Sequence, residues 1–375
     1  MITTRAATET TEAGPDKPRA STSSATGMPG RRKKPPGRLA AHARTPVLLA
    51  LLAASALVSL RVGAHPLAWA DILQLWFPRF AADAVTDRGT VVSLLWEIRL
   101  PRLLAALGVG AGLSMAGAAY QGLFRNSLVS PDILGSSAGA ALGAALGLTL
   151  SLPVVGVQTL GFLFGLAAVI LTCGLGRAVG GGGHFTLRLV LTGMVVGSLF
   201  MAGVSVIKIL ADPYSKLPAI TFWLMGSLAA TTRADLALLF PPLALGVTVL
   251  LLLRWPLNLM ALGEDEARSL GVPVTAVRVL VLVGATLITS ATVAVAGIIG
   301  WIGLMVPHAA RFWVGPNHRD LLPSSLLIGG ICLLWADNLA RCLFAVEFPL
   351  GVVTCACGAP VFLVMLRRSQ KTWAE

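Results

Sequence analysis

The sequence predicts an all-α integral membrane protein of about ten transmembrane helices. Three observations carry that reading. Hydrophobic residues make up 55% of the 375 and charged residues only 12%, about half the charged fraction usual in a soluble domain. The charges are gathered between uncharged runs, many near the roughly 17–25 residues a helix needs to cross a bilayer. The 40 glycines suit helices that approach one another closely inside a membrane.

Residues 1–44 stand apart. They hold nine basic and three acidic side chains, a net of +6 and half of the chain's +12. The segment is rich in Thr, Ser, Ala, Pro and Gly without apolar periodicity, so it is expected to be a disordered tail. The cluster Arg31, Arg32, Lys33 and Lys34 precedes the first apolar run. Such a cluster holds an N-terminus in the cytoplasm and touches anionic lipid. It is not read as a nucleic-acid site. No cleaved signal peptide is expected, because the apolar run begins far from Met1.

The remainder, 45–370, is then divided by its charges. A first span covers 45–60, lengthened by the snorkelling side chains of Arg44 and Arg61. Residues 65–89, with Trp69 and Trp76, suit an interfacial helix. A second span covers about 103–124. The uncharged stretch 133–176 is too long for one helix, and Pro153 splits it into a third and a fourth. The run Gly180 to Gly183 makes a flexible joint. The fifth span covers about 189–207 and the sixth 236–253, with a loop between them whose FWLMGSL is expected to be a short half-helix. Residues 279–310 are long for one helix and short for two, so they are read as a seventh span, a turn near AGIIG and a short eighth. The ninth covers about 321–336 and the tenth 350–366, leaving 371–375 as a C-terminal tail. An even number of spans puts both termini in the cytoplasm. The loops so placed inside hold more Arg and Lys than those outside, as the positive-inside rule requires.

Between the sixth and seventh spans lies a polar island, 254–278, with the sequence RWPLNLMALGEDEARSLGVPVTAVR. Glu264, Asp265 and Glu266 stand where a helix dipole favours negative charge. Glu264 and Arg268 are spaced i,i+4 with the acid first. Gly271 suits a left-handed C-terminal position, and Pro273 prevents continuation. The island is therefore a short capped helix that a partner could grip, or else an ordinary connecting loop. A fainter pattern is an internal echo: LSMAGAAYQGLF in the second span and VAVAGIIGWIGLM in the seventh, oppositely directed, as an inverted repeat would be.

The chemistry available is limited. The sequence has no phosphate loop of the GxxxxGK[ST] type, no HExxH and no nucleophile elbow. Its five His form no ligand pair on one helix face. Cys173, Cys332, Cys342, Cys355 and Cys357 sit in or beside apolar runs without CxxC spacing, so neither a disulfide framework nor a metal site is expected. Ionisable groups inside the spans are nearly absent, with Asp337 and Glu347 at span ends. No catalytic residue and no cofactor is assigned. A secondary transporter or channel and an intramembrane enzyme are the alternatives. The missing intramembrane charges weigh against the first, and the missing catalytic constellation against the second.

The chain resembles the FecCD family of permeases over roughly 46–368. The segments that carry the resemblance are RLPRLLAALGVGAGLSMAGAAYQGLFRNSLVSPDILG from Arg99, LRLVLTGMVVGSLF from Leu187, FWLMGSL from Phe222, LNLMALGEDEARSLGV from Leu257, AGIIGWIGLMVPHAARFWVGPNHRDLLP from Ala296 and PLGVVTCACGAPVF from Pro349. Two departures stand out. Asn126-Ser127-Leu128 replaces the usual Asn-Pro-Leu, and the stretch from Arg341 to Pro349 is one residue shorter than is typical. The resemblance implies a BtuC-like permease of a type II ABC importer in the cell membrane. It implies two ATP-using ATPase subunits, a second permease chain and an extracytoplasmic substrate-binding protein as partners. The implied cargo is an iron–siderophore complex, with haem or cobalamin as alternatives. It makes the island a coupling loop, with Glu264, Asp265, Glu266, Arg268 and Gly271 in the ATPase contact. It makes Arg99, Arg102 and Arg341 an outer rim that docks acidic residues of the binding protein. No acid lies near Arg99 and Arg102 in sequence except Glu97, so they are expected to be unpaired. The translocation path and inner gate are expected at Gly181, Gly182, Gly183, Thr192, Gly193 and Gly197.

Overall fold

The computed structural model describes residues 38–63, 67–75, 77, 86–179, 185–343 and 346–373, with side chains left undescribed at 38–43, 185 and 366–373. All of these belong to one unit, Arg38–Glu375. The described residues are helical and contain no strand. The helices in order are α1 Arg38–Arg61, α2 Trp69–Leu73, α3 Arg88–Ser93, α4 Leu100–Phe124, α5 Ser136–Thr149, α6 Val154–Ala178, α7 Phe185–Leu210 and α8 Lys216–Leu224. They continue with α9 Arg233–Leu252, α10 Arg254–Met260, α11 Glu264–Ser269, α12 Val274–Ala296, α13 Ile302–Val314, α14 His318–Cys342 and α15 Leu350–Trp373. A wide turn of π type, Leu94–Arg99, fuses α3 to α4, and a 3-10 turn, Pro131–Leu134, precedes α5.

Ten of these elements correspond to the ten spans expected: α1, α4, α5, α6, α7, α9, α12, α13, α14 and α15. Among the described residues, seven helices are long and apolar enough to cross a membrane, and α5 and α15 hold shorter apolar stretches. The split at Pro153 holds, since Pro153 precedes α6 in extended conformation. The turn near AGIIG holds as well. Gly297 and the residues after it interrupt the chain between α12 and α13.

Three boundaries move. Helix begins at Arg38, inside the stretch read as a tail; residues 1–37 lie outside the described residues. The helix that holds the second span begins earlier than 103, at Arg88, and runs through the wide turn into α4, so that Arg99 and Arg102 lie inside it, buried against other helices. Only the first three residues of FWLMGSL are helical. They end α8, and Gly226, at φ 74°, turns the chain away.

Helix α4 is the axis of the bundle, packed against α9, α12, α13 and α14. Its glycines make that possible. Gly110 and Gly329 of α14 each face the other's carbonyl, and a methyl on either would overlap it. Gly117 meets the carbonyl of Gly303 in α13 in the same way. Without a hydrophobic force between helices in lipid, such close backbone packing is what holds spans together. Gly117 and Gly303 belong to the two echoing segments, so the echo marks a point of contact. The echo does not extend to helix limits: α4 runs through its copy unbroken, whereas α12 stops within the other.

Candidate functional site

The polar island folds into two short helices, α10 and α11. Gly263, at φ 147°, opens α11, and the Glu266 carboxylate folds back over it, leaving no room for a β-carbon. At the other end, the amide of Gly271 donates to the carbonyl of Arg268 and that of Val272 to Ala267, both at 2.9 Å. This is the Schellman arrangement, with Gly271 in the left-handed position at φ 82°. Ala267 and Val272 are buried beneath it. The three acids occupy the first turn, Arg268 approaches Glu264 at 3.6 Å and Asp265 at 3.1 Å, and Arg278 of α12 pairs with Glu264. Asn258 of α10 accepts from the backbone amide of His318 at 2.8 Å and donates to Asn317 at 2.7 Å. The island is thus fastened to the starts of both α12 and α14, and its outward side is free. Asp265 is 93% exposed, and Leu262, Leu270 and Trp255 are exposed as well. These three apolar residues were not singled out in the sequence, where the charges and glycines of the island drew the reading. Leu262 and Leu270 each stand directly before a glycine, Gly263 and Gly271.

Beside the island lies an open groove of about 930 Å³. Its walls include Arg125 and Asn126 after α4, Thr186 and Val190 of α7, and Glu264, Arg268 and Arg278. The island therefore shares a wall with the start of α7.

Gly181, Gly182 and Gly183 lie outside the described residues. The other three residues expected along a path pack against neighbouring elements. A methyl on Gly193 would overlap the carbonyl of Ile133, Gly197 lies against Gly135, and Thr192 faces Gly176 of α6. Spaced by four, Gly193 and Gly197 form a small-xxx-small packing face. The exposed stripe of α7 is the other one: Leu191, Met194, Val195, Ser198, Leu199 and Val206. Ser198 bonds its own helix, at the Met194 carbonyl, 2.9 Å away.

The three arginines of the expected rim do meet, at the end of the bundle away from the island, but they are neither exposed nor unpaired. Arg102 is 8% exposed and lies against Asp337 of α14, 1% exposed, with Nε 3.0 Å from Oδ1 and 3.1 Å from Oδ2, and Nη2 2.8 Å from Oδ1. Both of its Nη atoms also donate to Glu347, the Nη1 contact being 3.2 Å. Arg341 brings Nε to 3.3 Å from Asp337 and donates through Nη2 to Ser59, 3.1 Å away, and to Asn338. Arg99 is buried, donates to the carbonyl of Leu60, and converges with Arg341 on Gly63. The expectation of unpaired arginines fails for a simple reason. Their acids stand 235 and 245 residues along the chain from Arg102, beyond any reading of neighbours in sequence. Among the described residues no three His, Cys, Asp or Glu side chains converge as a metal site.

The model of the FecCD transport family matches residues 51–368. The chain is 38% identical over 324 residues to the molybdate import system permease protein MolB of Haemophilus influenzae, covering 86% of this chain and 95% of that protein. It is 39% identical over 279 residues to a probable iron chelatin transport system permease protein of Helicobacter pylori, covering 74% and 83%. Among solved structures it is similar to a metal-chelate type ABC transporter in an inward-facing conformation, with a TM-score of 0.78 and 36% identity over 87% of this chain and 99% of that one.

Proposed function

The chain belongs to the FecCD transport family and is the permease of an ABC importer, and we propose that its cargo is an iron–siderophore complex. The iron chelatin relative and the metal-chelate type transporter support that cargo. Molybdate is the second reading, favoured by MolB, whose likeness spans most of both chains. In this proposal the chain spans the cell membrane many times, with the island and both termini in the cytoplasm. It pairs with a second permease chain, and two ATPase subunits use ATP on its behalf.

The observation that carries the mechanism is the geometry of the island. Helix α11 is closed at both ends, tied to α12 by Glu264–Arg278, and presents Leu262 and Leu270 around an acidic first turn. A partner that seats this helix moves a rigid body, and the shared groove carries the movement to the start of α7. The exposed α7 stripe, apolar with small hydroxyls, then forms one wall of a path between two permease chains. Such a wall lets a bulky chelate pass without strong binding. The arginine cluster, at the opposite end, lies where an acidic substrate-binding protein docks.

The test is uptake into vesicles holding this chain with its ATPase and binding protein. Transport of ferric siderophore that needs ATP and is not matched by molybdate, haem or cobalamin is the expected result. Transport of molybdate alone would replace the first reading with the second. Because Arg102 is buried against Asp337 and Glu347 and Arg99 against the Leu60 carbonyl, docking is tested on the intact chain, whose contact with the binding protein should weaken as salt is added.

A further inference from the structure

The corner where α13 ends and α14 begins holds two arginines and no carboxylate paired with either. Arg311 lies in the last turn of α13. Its Nη1 is buried without an acceptor, and among the described residues it forms no hydrogen bond and no ion pair. The titratable side chains near it are the rings of His308 and His318, and neither carries negative charge. His308 meets Phe312 and Phe362 edge-on. His318 contacts Asn258 at 3.0 Å through Nδ1, with Nε2 against Gly122. Asp320, the acid closest to Arg311 in sequence, pairs with neither arginine. Arg44 of α1 reaches the same helix end, where its Nη1 donates to the carbonyl of Trp313.

The end of α13 offers only about half a negative charge from its aligned peptide dipoles, against two guanidiniums that stay protonated at neutral pH. An enclosed charge without a partner is costly, so an anion from outside the chain is expected at this corner. Guanidinium forks match the oxygens of a phosphate in pairs. The surroundings indicate its source. Phe312 and Trp313 are exposed beside Arg311, as aromatic residues are where a helix leaves the hydrocarbon. Val47 and Leu51 stand three and seven residues after Arg44, on its side of α1, and both are exposed. Most of the apolar stretch of α1 is likewise open. An apolar strip that leads away from two arginines has the layout of a headgroup followed by a chain.

We propose that Arg44 and Arg311 bind the phosphate of an anionic phospholipid whose chain lies along Val47 and Leu51. Basic pockets between membrane helices seat such headgroups. A zwitterionic lipid is disfavoured, because it brings its own cation to a corner that already has two. Bound there, the lipid ties α1 to the end of α13. The same corner fastens the island, since Asn258 holds the His318 amide and Asn317. With the island in the cytoplasm, as proposed above, the lipid belongs to the inner leaflet. The binding itself does not depend on that assignment.

The experiment places the full chain in nanodiscs of phosphatidylcholine, with and without phosphatidylglycerol. It measures thermal melting and, by native mass spectrometry, the preference for retained phosphatidylglycerol over phosphatidylcholine. Wild type is expected to melt higher with phosphatidylglycerol, because a ligand of the folded state stabilises it. Arg311→Gln is expected to lower the lipid preference at least threefold and to melt alike in both membranes. In phosphatidylcholine alone it should melt no lower than wild type, since it breaks no pair; a merely structural arginine would fail that test. Arg319→Gln removes an exposed charge from the same corner and should stay within twofold. An equal lipid preference in wild type and Arg311→Gln, or an equal loss in Arg319→Gln, overturns the proposal. So does inorganic phosphate in phosphatidylcholine discs if it reproduces the whole rise in melting, which would make this a site for a small anion. If Arg311→Gln does not fold, Arg44→Gln is expected to lower the preference in the same direction, and an unchanged preference there overturns the proposal equally.

Discussion

Arginine meets carboxylate at both ends of the bundle, and the two meetings have opposite character. In the island, Arg268 and Asp265 form their pair in solvent, on a helix of six residues whose shape comes from its backbone caps. In the cluster, Arg102 and Asp337 are enclosed by α1, α4 and α14, and they join elements far apart in sequence. Exposed pairs contribute little, because water already solvates both partners. Buried pairs offset a large desolvation cost, so removing one partner leaves a charge stranded. The same residue types therefore form an exposed pair at one end and a buried cluster that ties helices together at the other. A surface helix can keep its charges free for a partner, whereas a buried cluster must first satisfy itself.

That contrast can be broken by mutation. The largest effect is expected from Asp337→Ala, which strands Arg102 and Arg341 and should cost about 3–5 kcal/mol, read as a steep fall in thermal stability or in folded yield. A loss no greater than that of an island mutant would mean the cluster is open to water. Next is Gly117→Ala, whose methyl overlaps the Gly303 carbonyl; overpacking of this kind costs about 1–3 kcal/mol, measured by the same melt. Gly271→Val is expected to cost only about 1–2 kcal/mol of backbone strain, since no atom lies within 4 Å of a β-carbon there. Its effect on coupling should exceed its effect on stability: ATP-driven uptake falls while membrane insertion is kept. Wild-type transport by this mutant would remove the coupling role. The smallest change is expected from Asp265→Asn, with no measurable shift in melting and a decrease in ATPase affinity that fades as salt is added. A melting shift there would blur the distinction between the two ends.

Much of the architecture was legible because lipid imposes a length on every helix. The limits of α6, α9 and the α12–α13 break were found from charge, proline and glycine alone. The island was legible for a related reason: its start, its stop and its ion pair are all local. Glu264 and Arg268 lie one turn apart, and Gly271 needs only its own φ. Outside that range the reading failed. The face of α7 that packs could not be told from the face that is bare, because both are apolar and small. Gly193 and Gly197 lie against Ile133 and Gly135, a contact that apolar composition alone does not reveal.

By itself, then, the sequence determined the membrane class, the main breaks between spans and the start and stop signals of the island helix, since each follows from composition or from contacts within a few residues. Only the tertiary structure decided which arginines are free. Arg102 finds Asp337 and Glu347 because α14 and the start of α15 fold back beside α4. Ion pairing depends on distance in space, falling off with separation and dielectric, and a spacing of more than two hundred residues says nothing about that distance.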